Sequence, residues 1–178
     1  MVLVCPMGKG GRYLVALDVT DPTGPLPIWE FSHPDLGETW SIPALGRVAT
    51  SNTESRDAVI VASGVDNVVG APGPGQDRWR NDVPAVMVID LASGRTLKTW
   101  RKPHLAGQAV FADVSAIDHS GDGLIDLAYI GTSGGVLLTL DMRRRGVRSG
   151  PLHWSLLQRD GAYSAGLPMT GAPVIDMS

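Results

Sequence analysis

Short apolar runs, each ending in an aspartate, recur along the chain. Three of these runs are followed by a turn that contains glycine, then by a tryptophan, and after a gap by another short apolar stretch. Such runs, bounded by Gly, Pro, Asn and Asp, are typical of β-strands. The pattern therefore predicts an all-β protein built from one repeated unit. The repeated residues are Asp18, Asp90 and Asp141, with Trp29, Trp100 and Trp154.

The spacing of these aspartates gives the size of the unit. Asp18 and Asp90 lie 72 residues apart, whereas Asp90 and Asp141 lie 51 residues apart. The longer spacing includes residues 66–83, which are rich in Gly and Pro and lack apolar periodicity, so we expect a loop insert there. Without that insert the period is about fifty residues, in the range of propeller blades.

A single four-stranded blade cannot bury both of its faces, so blades stack around an axis. We therefore predict that residues 1–178 form one partial β-propeller domain of about three quinoprotein-like blades. Closed rings typically have at least about four blades, so we expect a segment of a larger propeller. The repeated tryptophans should be largely buried wedges at equivalent places between blades, because an indole covers a large area. The alternative is that they are core residues of a β-sandwich.

One polar loop carries oxygen-bearing groups at alternate positions. Residues 118–126, here called the acidic loop, read Asp-His-Ser-Gly-Asp-Gly-Leu-Ile-Asp. Gly123 takes the sharp-turn position of an EF-hand-like loop, but position 12 is Tyr129 and the flanks predict strands. Oxygen ligands without Cys or His favour calcium over zinc. The predicted ligands are Asp118, Ser120, Asp122, Leu124 (through its carbonyl) and Asp126. The alternative is an exposed polar turn, in which like charges would repel one another.

Composition excludes several classes of protein. Apolar residues make up 43% of the chain, charged residues 19%, and the net charge is −3. These values are typical of a globular protein without the basic face that a nucleic acid would require. No run approaches the roughly 18 apolar residues of a membrane span, and the segment opens without an export signal. The scattered histidines and the absence of a nucleophile-elbow or phosphate-loop motif predict no catalytic residues.

Several motifs, taken in order, resemble a known family. Residues 10–22 read Gly-Gly-Arg-Tyr-Leu-Val-Ala-Leu-Asp-Val-Thr-Asp-Pro, and residues 29–31 read Trp-Glu-Phe. Asp-Leu-Gly-Glu-Thr-Trp-Ser-Ile-Pro follows at 35–43, and Val-Ile-Asp-Leu-Ala-Ser-Gly at 88–94. With the acidic loop, this order resembles the C-terminal β-propeller of the PilY/PilC-type type IV pilus assembly and tip-adhesin family. The resemblance covers residues 8–145.

The resemblance implies a non-enzymatic protein with one calcium loop, whose ligands carry over onto the five predicted positions. It also implies a role in pilus assembly, surface attachment and twitching motility, and a location at the pilus tip on the cell surface. The implied partners are pilin, minor pilins or other tip subunits, and a host or abiotic surface. Residues 63–67 and 130–138 depart from the family pattern, so the chain resembles a divergent member.

Two other readings share the propeller fold. A quinoprotein dehydrogenase fits the stretch Val-Ile-Asp-Leu-Ala-Ser-Gly-Arg-Thr-Leu-Lys-Thr-Trp at 88–100. Such an enzyme also needs a closed ring, a catalytic carboxylate and typically an adjacent pair of cysteines, whereas Cys5 is the single cysteine. Binding of pyrroloquinoline quinone, seen by its absorbance, would separate the two. The third reading is a calcium-bearing binding propeller, as in integrin-like repeats.

Overall fold

The computed structural model describes residues 1–65, 84–105, 107–143 and 155–159. Within those ranges there are eleven β-strands, one 3-10 turn at Pro103–Leu105 and no α-helix. The described residues also contain no helix long and apolar enough to cross a membrane. The predicted insert at 66–83 and Trp154 lie outside the described residues.

The strands form three antiparallel sheets, and within each sheet the order in space follows the sequence. The orders are β1-β2-β3, β4-β5-β6-β7 and β8-β9-β10-β11. This arrangement confirms the prediction of an all-β chain with about three blade-like sheets. The strands are β1 (Val2–Pro6), β2 (Tyr13–Asp18), β3 (Leu26–Ser32), β4 (Ala44–Ala49), β5 (Ser55–Ala62), β6 (Ala85–Asp90), β7 (Thr96–Arg101), β8 (Ser115–Ile117), β9 (Leu127–Gly131), β10 (Leu137–Asp141) and β11 (Ser155–Arg159).

The two central strands of the second sheet are buried on both faces. Residues 58–62 of β5 and 85–89 of β6 have no exposed surface, which explains why both strands are continuous apolar runs in the sequence. Alternate side chains point to opposite faces of a strand. Val59, Val61 and Met87 therefore join the core against the first sheet, whereas Ile60 and Val88 join the core against the third. The three sheets are thus stacked, with the second in the middle.

The repeated aspartates hold the turns at the ends of their strands. In each case the carboxylate accepts a hydrogen bond from the backbone N–H two or three residues later and another from the side chain of that same residue. The pairs are Asp18 with Thr20, Asp90 with Ser93, and Asp141 with Arg143. Asx-type turns of this kind explain why the repeat contains an aspartate at this place.

Trp29 connects the first sheet to the second. Its indole N–H donates to the carbonyl of Leu91 at 2.8 Å. The ring lies over Gly94, where a Cβ atom would come within 2.8 Å of the indole Cγ. Trp100 packs against the core between the second and third sheets. Trp29 therefore contacts the neighbouring sheet, as predicted for a wedge between blades, and Trp100 packs against the core that the second and third sheets share.

The tryptophans differ from the prediction in burial and in register. Both are half-buried instead of largely buried. Trp29 pairs with Ala16, whereas Trp100 pairs with Val86. Ala16 lies two residues before Asp18, the aspartate of its strand, whereas Val86 lies four residues before Asp90. A shift of two residues keeps a side chain on the same face of a sheet, so both indoles keep their inter-sheet role at non-equivalent positions.

Candidate metal centre

The acidic loop joins β8 to β9 and is held by strands of two sheets. The amide of Asp126 donates to the carbonyl of Ile117 at 2.8 Å and closes the hairpin. The carbonyl of Asp126 accepts from the amide of Met142, next to β10, at 2.8 Å. The amide of Ile125 donates to the carbonyl of Arg47, on β4 of the second sheet, at 2.7 Å. The loop is therefore fixed at its C-terminal end.

The N-terminal part of the loop curls around the carboxylate of Asp118. This carboxylate accepts from the amides of Gly121 (2.7 Å), Asp122 (3.2 Å) and Gly123 (2.7 Å). The Ser120 hydroxyl donates to it at 3.4 Å. Partial removal from water raises the pKa of Asp118, but the hydrogen bonds from Gly123, Gly121 and Asp122 outweigh that effect, so its pKa lies below the usual value. Asp118 is therefore ionised at neutral pH.

Two glycines give the loop its shape. Gly121 has φ +75° and Gly123 has φ +84°, in the left-handed region that glycine adopts without steric cost. A Cβ atom at either position would meet nothing within 4 Å, so conformation and not space requires glycine there. Gly123 occupies the sharp-turn position predicted from the sequence.

The remaining predicted ligands lie in two groups. The Asp126 carboxylate, in a residue only 8% exposed, accepts from the amide of Ser120 at 2.7 Å. Ser120 therefore lies between Asp118 and Asp126. The exposed Asp122 accepts from the amide of Leu124 at 3.0 Å, which forms the next turn. His119 is exposed.

The three carboxylates do not converge by themselves. Across the described residues, no three His, Cys, Asp or Glu side chains stand together as a metal cluster. A cation here would therefore also require the Ser120 hydroxyl and the Leu124 carbonyl. A carboxylate has about four acceptor sites. Asp118 accepts from three amides and one hydroxyl, so a cation would displace one of these donors there, whereas Asp122 and Asp126 retain acceptor sites for an ion. This all-oxygen donor set fits a hard cation such as calcium.

A cleft of about 250 Å³ opens beside the loop, and Arg143 lines it together with Asp122 and Asp126. The guanidinium of Arg143 makes two bonds to Asp141, with Nη2–Oδ2 at 2.7 Å and Nε–Oδ1 at 3.0 Å. Hydrogen bonding to Asp141, which is 2% exposed, raises the pKa of Arg143. The cleft beside the acidic loop is thus lined by a guanidinium whose charge is paired with the Asp141 carboxylate.

The pair of Arg143 with Asp141 was not predicted from the sequence. Residues 143–145 are a run of arginines, which is more often a solvated turn. The one available signal was the position of Arg143 two residues after Asp141, because the aspartates of the other two repeats have a Thr or Ser partner two or three residues later.

Comparisons with known proteins identify the relatives of this chain. No family model matches it. The type IV pilus biogenesis factor PilY1 of Pseudomonas aeruginosa strain UCBPP-PA14 is 33% identical over 145 residues, which cover 79% of this chain and 11% of that protein. The protein of the same name from strain PAO1 is 29% identical over 148 residues, with the same two coverages. The chain thus spans 11% of the length of these curated relatives.

A solved structure gives the same answer. The crystal structure of the Pseudomonas aeruginosa PilY1 C-terminal domain matches with a TM-score of 0.63 and 26% sequence identity, over 79% of this chain and 26% of that chain. That domain is a β-propeller, so the predicted fold is confirmed. By sequence and by fold, the chain belongs to the PilY1-type family, as part of its C-terminal β-propeller domain.

Proposed function

We propose that this chain is a calcium-binding propeller segment of a type IV pilus biogenesis protein. It supports pilus assembly, surface attachment and twitching motility by binding and not by catalysis. The name of its relatives, a type IV pilus biogenesis factor, supports the pilus role. The observation that carries the calcium role is the loop itself, in which Asp118 is ringed by amides and Gly123 turns the chain at the position that an EF-hand-like loop requires.

The donor set favours calcium over other cations. Calcium takes about six to eight oxygen ligands in a flexible geometry. The loop offers five, from Asp118, Ser120, Asp122, Leu124 and Asp126, and water would supply the others. Magnesium requires a tighter octahedron and keeps its waters, so it should substitute poorly. With three charges and no bidentate glutamate, we expect a dissociation constant on the order of 10⁻⁶–10⁻³ M.

Bound calcium would neutralise the repulsion among three carboxylates that lie within nine residues of one another. Because Asp118 directly follows β8 and Asp126 directly precedes β9, the same ion would keep the two strands in register. At a hundredfold excess over the dissociation constant, binding should stabilise the folded chain by about 2.7 kcal/mol.

The proposed partners follow from the pilus role. They are pilin, minor pilins or other tip subunits, together with a host or abiotic surface, and the proposed location is the pilus tip on the cell surface. The relatives are named for pilus biogenesis as a whole, and the chain corresponds to a small part of them. The contribution of this segment is therefore proposed to be a rigid, calcium-dependent surface.

Calorimetric titration of calcium tests the proposal, with wild type, Asp122→Ala and Asp21→Ala compared. Asp21 is a matched control, because it is also an exposed aspartate that caps a turn, through Thr23 in the first sheet. We expect similar binding heats in wild type and Asp21→Ala, and a strongly reduced heat in Asp122→Ala. Equal heats in all three proteins, or no heat in wild type, would show that the acidic loop is a polar turn.

A further inference from the structure

The acidic loop is anchored to a sheet other than its own. Ile125 lies between two of the predicted ligand positions, Leu124 and Asp126. Its amide donates to the carbonyl of Arg47 on β4 at 2.7 Å. Its side chain is 9% exposed and belongs to the core between the second and third sheets. The loop therefore has both a backbone and a side-chain contact with the neighbouring blade.

The side chain of Ile125 occupies a space left by a glycine. A Cβ atom at Gly46, on β4, would lie 2.5 Å from Cδ1 and 2.9 Å from Cγ1 of Ile125. Both distances are shorter than real Cβ contacts, so a larger residue would force the Ile125 side chain, the strand or the loop to move. Gly46 is not among the glycines with positive φ, so space and not backbone conformation is what this position requires.

A displacement of Ile125 would reach the ligand positions through covalent and hydrogen bonds. Leu124 and Asp126 are its direct chain neighbours. Asp126 holds the amide of Ser120 at 2.7 Å, and the Ser120 hydroxyl contacts Asp118 at 3.4 Å. Interiors are packed densely enough that a shift of a core side chain is transmitted and not absorbed. The relative positions of at least four ligands thus depend on where Ile125 sits.

From these contacts we infer that Gly46 and Ile125 are positioning residues of the calcium site. The site is then completed by two blades, and calcium binding is coupled to the packing of the second sheet against the third. The inference rests on the proposed calcium function. Coupling of this kind is reciprocal, so calcium strengthens the contact between the sheets by the same factor by which that contact strengthens calcium binding.

The test compares two isoleucines in the 178-residue chain. Ile125 and Ile130 belong to the same core, and Ile130 lies on β9 outside the loop with no exposed surface. Both alanine variants lose the same atoms and should lower the melting temperature. Calcium titration should show a loss of affinity of about tenfold for Ile125→Ala, within the usual range of coupling, and less than about twofold for Ile130→Ala. If either variant fails to fold, Ile125→Val and Ile130→Val provide the same comparison with less truncation.

A second test changes the side-chain sizes at positions 46 and 125. Gly46→Ala should weaken calcium binding by pressing on Ile125, although no ligand changes. The double variant Gly46→Ala/Ile125→Ala lacks Cδ1 and Cγ1 of Ile125, the two atoms that conflict with a Cβ at position 46. The methyl group added at position 46 then fills part of the space that the isoleucine leaves. The double variant should therefore bind calcium more tightly than Ile125→Ala alone. In wild type, calcium should also slow hydrogen exchange of the Ile125 amide, and this effect should be reduced in Gly46→Ala.

The outcomes separate the two hypotheses. No calcium binding by wild type would remove the proposed site and this inference with it. Binding by wild type with unchanged affinity in Ile125→Ala, or with equal losses in Ile125→Ala and Ile130→Ala, would overturn the positioning role alone. A double variant that binds more weakly than both single variants would also contradict it.

Discussion

At the scale of single residues, the shape of the acidic loop depends on the carboxylate of Asp118 and on two glycines. Asp118 holds three amides and one hydroxyl, and those amides can converge on it only because the chain turns left-handed at Gly121 and Gly123. The spacing of the loop residues is visible in the sequence. The backbone amides surround the Asp118 carboxylate because the two glycines turn a chain that has this spacing.

Replacement of Gly123 tests this dependence. Gly123→Ala meets no neighbouring atom but must hold φ +84°, which costs roughly 1–2 kcal/mol for a residue with a Cβ atom. We expect that loss in the free energy of unfolding, measured by urea denaturation, together with weaker calcium binding. Gly24→Ala is the control, because Gly24 has no positive φ and a Cβ there would make only an ordinary contact at 3.8 Å. Equal stability of the two variants would refute the conformational argument.

At the scale of elements, two features recur along the chain: the aspartate turns at the ends of strands, and the tryptophans that pack between sheets. Asp90 is representative of the turns. Its carboxylate accepts from the amide and hydroxyl of Ser93 at 2.8 and 2.7 Å, and from Arg56 at 3.2 Å. The Ser93 hydroxyl bond, above all, lowers the pKa of Asp90 despite the opposing effect of burial. The folded state therefore binds the proton less readily than the unfolded state.

This lowered pKa predicts a pH dependence of stability. The stabilisation from ionised Asp90 is fully present above the unfolded pKa of about 3.9 and is lost as the pH falls through the lower folded value. Asp90→Asn should cost about 1–3 kcal/mol near neutral pH, as expected for hydrogen bonds to a charged group. Urea denaturation should show that the difference from wild type shrinks below about pH 4. A difference that stays constant down to about pH 2 would contradict the assignment to ionised Asp90.

Trp29 provides a prediction for the wedges. Trp29→Ala removes an indole that covers Gly94 and donates to Leu91. Because the side chain is only half-buried, we expect a loss of about 2–3 kcal/mol, less than the roughly 3–5 kcal/mol of a fully buried aromatic residue. Trp29→Phe keeps much of the covered area and loses the hydrogen bond, so its loss should be smaller. Thermal unfolding measures both, and equal losses would show that the hydrogen bond and not the covered area dominates.

At the scale of the whole molecule, the stack covers the central strands of the second sheet, whereas among the described residues the first sheet carries exposed apolar side chains. Leu3 is 47% exposed and Ile28 is 40% exposed. Alternation along β1 places Leu3 on the face opposite to the buried Val4, and Ile28 lies at the bulge of β3 between Pro27 and Trp29. Exposed apolar faces on sheets favour association.

The chain should therefore self-associate as its concentration rises. Size-exclusion chromatography with light scattering should show a mass above 18.8 kDa for wild type, and less association for the double variant Leu3→Lys/Ile28→Lys. Lys98→Ala, at an exposed residue of β7, is a surface control that should behave as wild type. A stable monomer at all concentrations would contradict this prediction.

The cellular prediction also belongs to this scale. In the longer pilus protein proposed above, Asp126→Ala should reduce twitching motility on agar, because one predicted calcium ligand is lost. The amount of exported protein should stay near the wild-type level. Asp21→Ala serves as the control for loss of an aspartate elsewhere. Normal motility of Asp126→Ala, with calcium binding shown to be lost, would separate the metal site from pilus function.

Features that depend on neighbours along the chain could be predicted from the order of the residues. Strand-forming runs, the aspartate turns and the spacing of Asp118, Ser120, Asp122 and Asp126 are local, because backbone propensity and short-range hydrogen bonds act over a few residues. The stacking of about three blades also followed, because a repeated unit that cannot bury its own faces must pack against its copies.

The contacts between groups far apart in the chain depend instead on the three-dimensional fold. Nothing in the order of residues pairs Ile125 with Gly46, or the indole of Trp29 with the carbonyl of Leu91. The repeat pattern likewise did not predict that Trp29 and Trp100 are half-buried or that their registers differ. These contacts arise from the relative placement of sheets, where packing admits one arrangement of side chains whose sequence positions are far apart. The acidic loop could therefore be found from its spacing, whereas its anchor on the neighbouring blade required the fold.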